Sequence, residues 1–192
     1  MKLPGKNLVM AIDLLDLVHI HENALEDSVC DELISFFEEK SEFHERLDQN
    51  GRPNFTQFNL TQNKTKKEKI HNNLIKNVFS YRDKYYNFVC SDVFPTEHAF
   101  EEFRIKKYNP GGKDRFDAHV DVKNYSSARR FLSFMWYLND VIGGGETVFE
   151  DLIIKPKKGT LLIFPPLWMF PHRGNPTINS PKYLLSTYLH YK

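Results

Sequence analysis

Cysteine is nearly missing from this chain. Only Cys30 and Cys90 occur in 192 residues, and neither sits in a CxxC pair. That spacing excludes a thiolate zinc site and a disulfide framework. A surplus of either charge is missing too. Lys and Arg number 26 against 25 Asp and Glu, so net charge points to no polyanionic partner. The lysines at 64, 66, 67 and 69 read as the solvated start of a helix, not as a nucleic-acid patch. Long apolar runs are also lacking. "NLVMAIDLLDLVHI" is broken by Asp13 and Asp16, so it is neither a leader peptide nor a membrane span. A reducing, cytoplasmic setting is the expectation. The sequence gives no reading of oligomeric state.

Aromatic residues are abundant. Sixteen Phe, nine Tyr and two Trp mark a chain that buries a core. Two segments carry helical periodicity. In "ALEDSVCDELISFFEEK" the apolar positions are Leu25, Val29, Leu33, Ile34 and Phe37, with Asn23 as a candidate cap. In "TKKEKIHNNLIKNVFSYRDKYYNFV" they are Ile70, Leu74, Ile75, Val78, Phe79 and Tyr85, with Thr65 and Glu68 spaced as a capping box. Residues 8–21 read as one or two strands. Residues 41–63 read as polar loop with a short strand at "FTQFNL". After residue 100 short apolar runs alternate with Gly, Pro and Asn turns, the texture of an antiparallel sandwich or barrel. The expected fold class is α+β in one domain over residues 1–192. Residues 1–99 give mainly helical support, and residues 100–192 give the main β core.

Eight histidines invite a search for ligands. His19 and His21 in "HIH" have strand spacing for chelation, but nothing nearby completes them, so they read as structural. His44, His71, His98 and His190 sit in polar, helical or packed contexts. His119 and Asp121 in "FDAHVDV" differ. At i and i+2 on a strand they share one face. An imidazole and a carboxylate joined by a second imidazole would suit a non-haem Fe(II) site with three positions left open. His172 in "FPHRGNP" is the best third donor, although alone it is equally a surface turn. Lys182, ten residues on, opens another β-rich run. A lysine buried there needs an anionic partner, and a dicarboxylate would serve.

The order of the segments "YNPGG", "HVD", "YLNDVIGGGETVF", "KPKKGTLLIF" and "HRGNPTINSPKYLLSTYL" resembles the 2-oxoglutarate and Fe(II)-dependent oxygenases, and among them the prolyl 4-hydroxylases. The resemblance is strong over residues 100–192 and fainter over residues 17–39. It implies a double-stranded β-helix (jelly-roll, cupin-like) core. It implies His119, Asp121 and His172 as Fe(II) ligands and Lys182 as partner of the distal carboxylate of 2-oxoglutarate. Tyr108, Tyr137 and Thr147 fall where the family contacts that co-substrate. Arg130 and Trp168 fall near the substrate entrance, although Trp168 and the double proline before it depart from the family pattern. The implied reaction is hydroxylation of an unactivated C–H bond, with O₂ consumed, 2-oxoglutarate decarboxylated to succinate and CO₂, and ascorbate as a possible helper. Asp121 favours hydroxylation over halogenation, because family halogenases lack that carboxylate. A prolyl residue in a peptide or protein is the expected substrate. A free amino acid or other small molecule is the alternative, and a non-catalytic metal- or ligand-binding module the rival class. Neither a membrane nor a nucleic-acid partner is expected.

Overall fold

A computed structural model describes residues 13–48, 53–63, 67–89, 92 and 94–192. Twelve strands among these residues form two sheets. The larger has the order β1 (His19–His21), β10 (Leu161–Phe164), β7 (Arg130–Tyr137), β12 (Lys182–Tyr191), β5 (Arg104–Tyr108), β3 (Asn54–Asn59) and β2 (Glu45–Asp48), and β4 (His98–Phe100) also pairs with β12. The smaller has the order β6 (Phe116–His119), β11 (His172–Gly174), β8 (Thr147–Phe149) and β9 (Leu152–Ile154). Every pairing between named strands is antiparallel. The two sheets face each other as the expected double-stranded β-helix.

The long strands β7 and β12 are buried along nearly their whole length, which is why they read as continuous apolar runs and not as alternating ones. Their two faces serve different cores. Phe134, Trp136, Leu185 and Leu189 join helices α1 (Asp27–Glu39) and α2 (Glu68–Val89) in one cluster. Met135, Tyr137 and Leu184 turn the other way and meet Phe149 and Ile154 of the small sheet. The period-2 alternation of side chains across a strand thus separates a supporting face from a barrel face. Each fully buried Phe or Leu on the supporting face contributes about 1.5–3 kcal/mol. That outer layer keeps the barrel strands in place while their inner faces carry polar groups.

Several expectations shift. Helix α1 begins at Asp27 with Glu26 at its cap. Asn23 lies earlier, in a left-handed turn with φ 53°, so it does not cap the helix. Helix α2 begins at Glu68, while Thr65 of the expected capping box lies outside the described residues. In residues 13–21 a 3₁₀ turn, Leu14–Leu17, precedes β1, and residues 8–12 are outside the description. Residues 41–63 contain the β2–β3 hairpin, whose strand β3 docks on β5. The first 99 residues therefore supply strands β1, β2 and β3 to the large sheet as well as helices. His19 packs against Tyr85 and Phe88 of α2 and His21 against Tyr81, in tilted or edge-on contacts, and burial lowers the pKa of both, which fits their structural reading.

A turn of three glycines shapes the barrel's closed end. Gly143, Gly144 and Gly145 all have positive φ. At Gly144 a Cβ would lie 2.3 Å from the Pro176 carbonyl oxygen, on a backbone with φ +77°. Gly144→Ala is expected to destabilise the fold by about 2–3 kcal/mol, lowering Tm by roughly 5–10 °C. Gly111→Ala has the same backbone penalty but meets no atom within 4 Å, so its loss should be the smaller one. Thermal unfolding of the two variants checks the order, and equal losses would mean that Pro176 moves aside freely.

Candidate metal and co-substrate site

The two sheets open toward one another over a polar pocket. Strands β6 and β11 are neighbours, and His119 and His172 are direct partners across them. Strand β6 ends at His119, so Asp121 lies in the bend that follows and not on the strand itself. The Asp121 carbonyl accepts a hydrogen bond from Arg130 Nη1 at 3.0 Å, which fixes that bend. His172 opens β11 instead of ending the strand before it. The result still brings the three side chains together. One donor atom from each of His119, Asp121 and His172 lies within 4.8 Å of the others. His119 Nε2 is 3.5 Å from Asp121 Oδ1, and His172 Nε2 is 3.9 Å from Asp121 Oδ2.

These donors have the chemistry a divalent cation needs. His119 Nδ1 lies 2.8 Å from the Asp117 carbonyl, and His172 Nδ1 lies 3.1 Å from the Phe170 carbonyl. A carbonyl only accepts, so each Nδ1 carries the proton and each Nε2 presents a lone pair inward. Asp121 Oδ2 is buried and has no hydrogen-bond partner. Burial pushes the Asp121 pKa up, but the neighbouring His119, His172 and Lys106 side chains outweigh it and hold the carboxyl at about 2. Burial lowers the pKa of His172, so a proton does not compete for it at neutral pH. Two neutral imidazoles and one ionised carboxylate with an orphaned oxygen fit Fe(II) on a single triangular face.

Behind this triad lies a small pocket of about 30 Å³. Lys182 sits inside it, only 2% exposed, as the cross-strand partner of Tyr108. Its ammonium donates to the Gly145 carbonyl at 2.8 Å and faces the rings of Tyr108 and Tyr137 at 5.1 and 5.6 Å. Among the described residues no carboxylate lies within 4.0 Å, and burial, only partly offset by the charge of Glu146, drives its pKa down to about 7. Tyr137 donates to Thr147 Oγ1 at 2.6 Å, and Tyr108 and Thr147 line the same pocket. The structure therefore gathers Lys182, Tyr108 and Thr147 around one cavity with the three metal-ligand candidates, and Tyr137 joins them through its bond to Thr147.

In front of the triad a wider cleft of about 480 Å³ lies over the face of the large sheet, lined by the β2–β3 hairpin, by β5 and β12, and by residues 119–123 beyond β6. Arg130 lines it, but its guanidinium is engaged. It makes two bonds to Glu101, at 2.7 and 2.8 Å, besides the one to Asp121's backbone. Arg130 thus braces the bend that carries Asp121. Trp168 is a correction: it is 75% exposed and lines neither pocket nor cleft. Its neighbours Leu167 and Met169 turn inward to the small core, which leaves the indole facing outward. The sequence reading also passed over Phe116, stacked on the His119 ring at 3.4 Å, and Tyr188 and Lys106, both at the junction of pocket and cleft. Only the alternation of β5 and β12 could have pointed to them.

Residues 103–190 match the family model described as the 2OG-Fe(II) oxygenase superfamily. These residues belong to that superfamily. The oxygenase segment holds every residue discussed at the pocket. A curated Arabidopsis thaliana relative, named "Probable prolyl 4-hydroxylase 9", is 35% identical over 94 residues. That match covers 38% of this chain and spans about a third of the relative, 32% of its length. The oxygenase fold is similar to that of a viral collagen prolyl hydroxylase from Paramecium bursaria Chlorella virus-1, solved as a 2OG complex. The TM-score is 0.71 at 22% identity, over 92% of this chain and 96% of the other. A Trichoplax adhaerens prolyl hydroxylase, solved with a hypoxia inducible factor peptide fragment, gives a TM-score of 0.71 at 18% identity. It covers 92% of this chain and 85% of that one. Among the described residues no helix is long and apolar enough to cross a membrane.

Proposed function

We propose that this chain, read as one unit over residues 1–192, is a 2-oxoglutarate- and Fe(II)-dependent dioxygenase that hydroxylates a prolyl residue in a peptide or protein. The observation that carries the reading is the convergence of two inward Nε2 atoms and an orphaned buried carboxylate oxygen on the same pocket as a buried lysine that makes no ion pair among the described residues. His119, Asp121 and His172 hold the iron. Bound iron supplies O₂ activation, coupled to decarboxylation of 2-oxoglutarate to succinate and CO₂. Lys182 pairs with the distal carboxylate of the co-substrate, which returns its ammonium to a compensated state. Tyr108 adds a hydroxyl to that end of the pocket, and the Tyr137–Thr147 pair shapes its wall. Phe116 and Leu184, with Met135, line the pocket with apolar surface and keep water from the reacting atoms. The cleft lined by the hairpin, β5 and β12 receives the substrate chain. A reducing, cytoplasmic setting belongs to the same proposal and rests on the free, buried thiol of Cys30.

Incubation with Fe(II), 2-oxoglutarate, ascorbate and a library of proline-containing peptides tests it. Succinate formation together with a gain of one oxygen on prolyl peptides is the expected result, read by mass spectrometry. Oxygen gained only by free amino acids would replace the peptide substrate with a small molecule. Absence of any 2-oxoglutarate turnover, unchanged in His172→Ala, would leave a binding module.

A further inference from the structure

Strand β5 turns three side chains to the barrel face in sequence: Tyr108 at the inner pocket, Lys106 at the junction, and Arg104 in the open cleft. The neighbouring basic groups are committed. Arg104 pairs with Glu101 and Glu102, Arg130 with Glu101, and Lys107, on the opposite face, with Glu38. Lys106 has no such partner in contact. It makes no hydrogen bond or ion pair within 4.0 Å among the described residues, its ammonium lies 5.5 Å from the Phe55 ring, and Asp121 acts on it only at longer range. Lys123 also lines the cleft, but it does not reach the inner pocket. An uncommitted ammonium between the metal-ligand candidates and the cleft is costly to keep, and an incoming anion would offset that cost.

We propose that Lys106 sets substrate specificity by pairing with a carboxylate of the molecule that is oxidised, next to the reacting carbon. This rests on the oxygenase reading above. The co-substrate has its own cation. Lys182 pairs across the sheet with Tyr108, whereas Lys106 pairs with Leu184 and, on its other side, with Gln57. Two residues along a strand place Lys106 about 7 Å farther toward the cleft than Lys182. Phe55 on the hairpin and Phe116 on β6 offer apolar walls near it, suited to a ring or methylene stem whose acid points at the ammonium. Two sources carry such an acid: an Asp or Glu beside the target residue in a peptide, or the main-chain carboxylate of a free amino acid.

The probes are prolyl peptides with Glu or Gln flanking the proline, and L-proline beside L-prolinamide. Calorimetric binding without oxygen, with and without Fe(II) and 2-oxoglutarate, is measured for wild type, Lys106→Met and Lys106→Arg. Turnover with oxygen is measured in parallel. Wild type should bind and oxidise the acid form of one probe pair about tenfold better than the amide form. Lys106→Arg should keep most of that preference and Lys106→Met should lose it, while 2-oxoglutarate affinity moves by less than about twofold. The favoured pair identifies the source of the acid. Equal binding of acid and amide by wild type, an unchanged preference in Lys106→Met, or a matching fall in 2-oxoglutarate affinity overturns the proposal. Lys106-dependent acid binding without oxidation of any probe would sink the prolyl reading and leave the cation's role standing. Oxidation of acid and amide alike would do the reverse.

Discussion

Asp121→Ala is expected to cut Fe(II)-dependent succinate formation by more than about a hundredfold, beyond the losses seen on removing mere supporting groups around a metal. The two histidines are neutral and their Nδ1 protons are held by backbone carbonyls, so they can offer lone pairs but no charge. All the negative charge of the donor set resides on Asp121, buried and with Oδ2 unpartnered. Removing it leaves two imidazoles, one stacked on the Phe116 ring and the other on the Phe149 ring. A divalent ion there would lose both a ligand and its counter-charge. Co(II) titration of the variant, followed by visible absorption, separates loss of metal from loss of chemistry. Near wild-type Co(II) affinity and turnover would show that the cluster is only a buried ion pair. The fold should survive at neutral pH. Asp121's pKa is depressed from 3.8 to about 2, so its contribution to stability is complete above pH 4 and is lost as pH falls toward 2. Asp121→Ala should therefore flatten the acid end of the stability curve.

Lys182→Met should act in two opposite directions. In the free protein it should stabilise, because a buried ammonium with no carboxylate in contact among the described residues is exchanged for an apolar chain of similar length. Lys182's pKa falls from 10.5 to about 7 in the fold, so the unfolded chain binds the extra proton between those values. Stability of the wild type thus rises with pH across that window, and the penalty is complete at and below about pH 7. The variant's advantage should amount to a few kcal/mol near pH 7, the scale of a buried lysine's shift, and should shrink as pH approaches 10. Co-substrate binding should go the other way. In wild type, 2-oxoglutarate with Fe(II) raises Tm under nitrogen, since a ligand of the native state stabilises it by mass action. In Lys182→Met that rise should vanish and the 2-oxoglutarate KM should climb by about tenfold or more. A variant that is no more stable, yet binds 2-oxoglutarate normally, would remove Lys182 from the co-substrate's reach.

The sequence made the metal-ligand candidates legible because their chemistry is local. His119 and Asp121 are two residues apart, and His172 sits in a run of turn and strand signals that few other contexts produce. The geometry behind the reading was not the one imagined. Asp121 lies past the end of its strand, and His172 meets His119 as a direct cross-strand partner. Lys106 and Lys107 show where such reading stops. They are adjacent in "FRIKKY", yet one faces the reactive pocket and the other pairs with Glu38 on α1. When both faces of a strand are covered, composition does not say which face holds the chemistry. Strand β3 was only faintly visible for a related reason. Its partner β5 lies some 45 residues downstream, and pairing at that distance leaves little local trace. Trp168 failed on orientation, which a turn after two prolines sets through packing of its neighbours.

Arg46 on the hairpin makes a two-pronged contact with Asp114, at 2.7 and 3.0 Å. Asp114, 3% exposed, also accepts from both nitrogens of Asn109, and Asn54 of the hairpin bonds to the Arg115 carbonyl. The wall of the cleft is thereby riveted to the loop that leads directly into β6, the strand that ends at His119. The hairpin and the histidine are coupled like a lever and its load. The cleft wall and that imidazole are thus held in place by one set of bonds, and cutting it at Asp114 would free both at once.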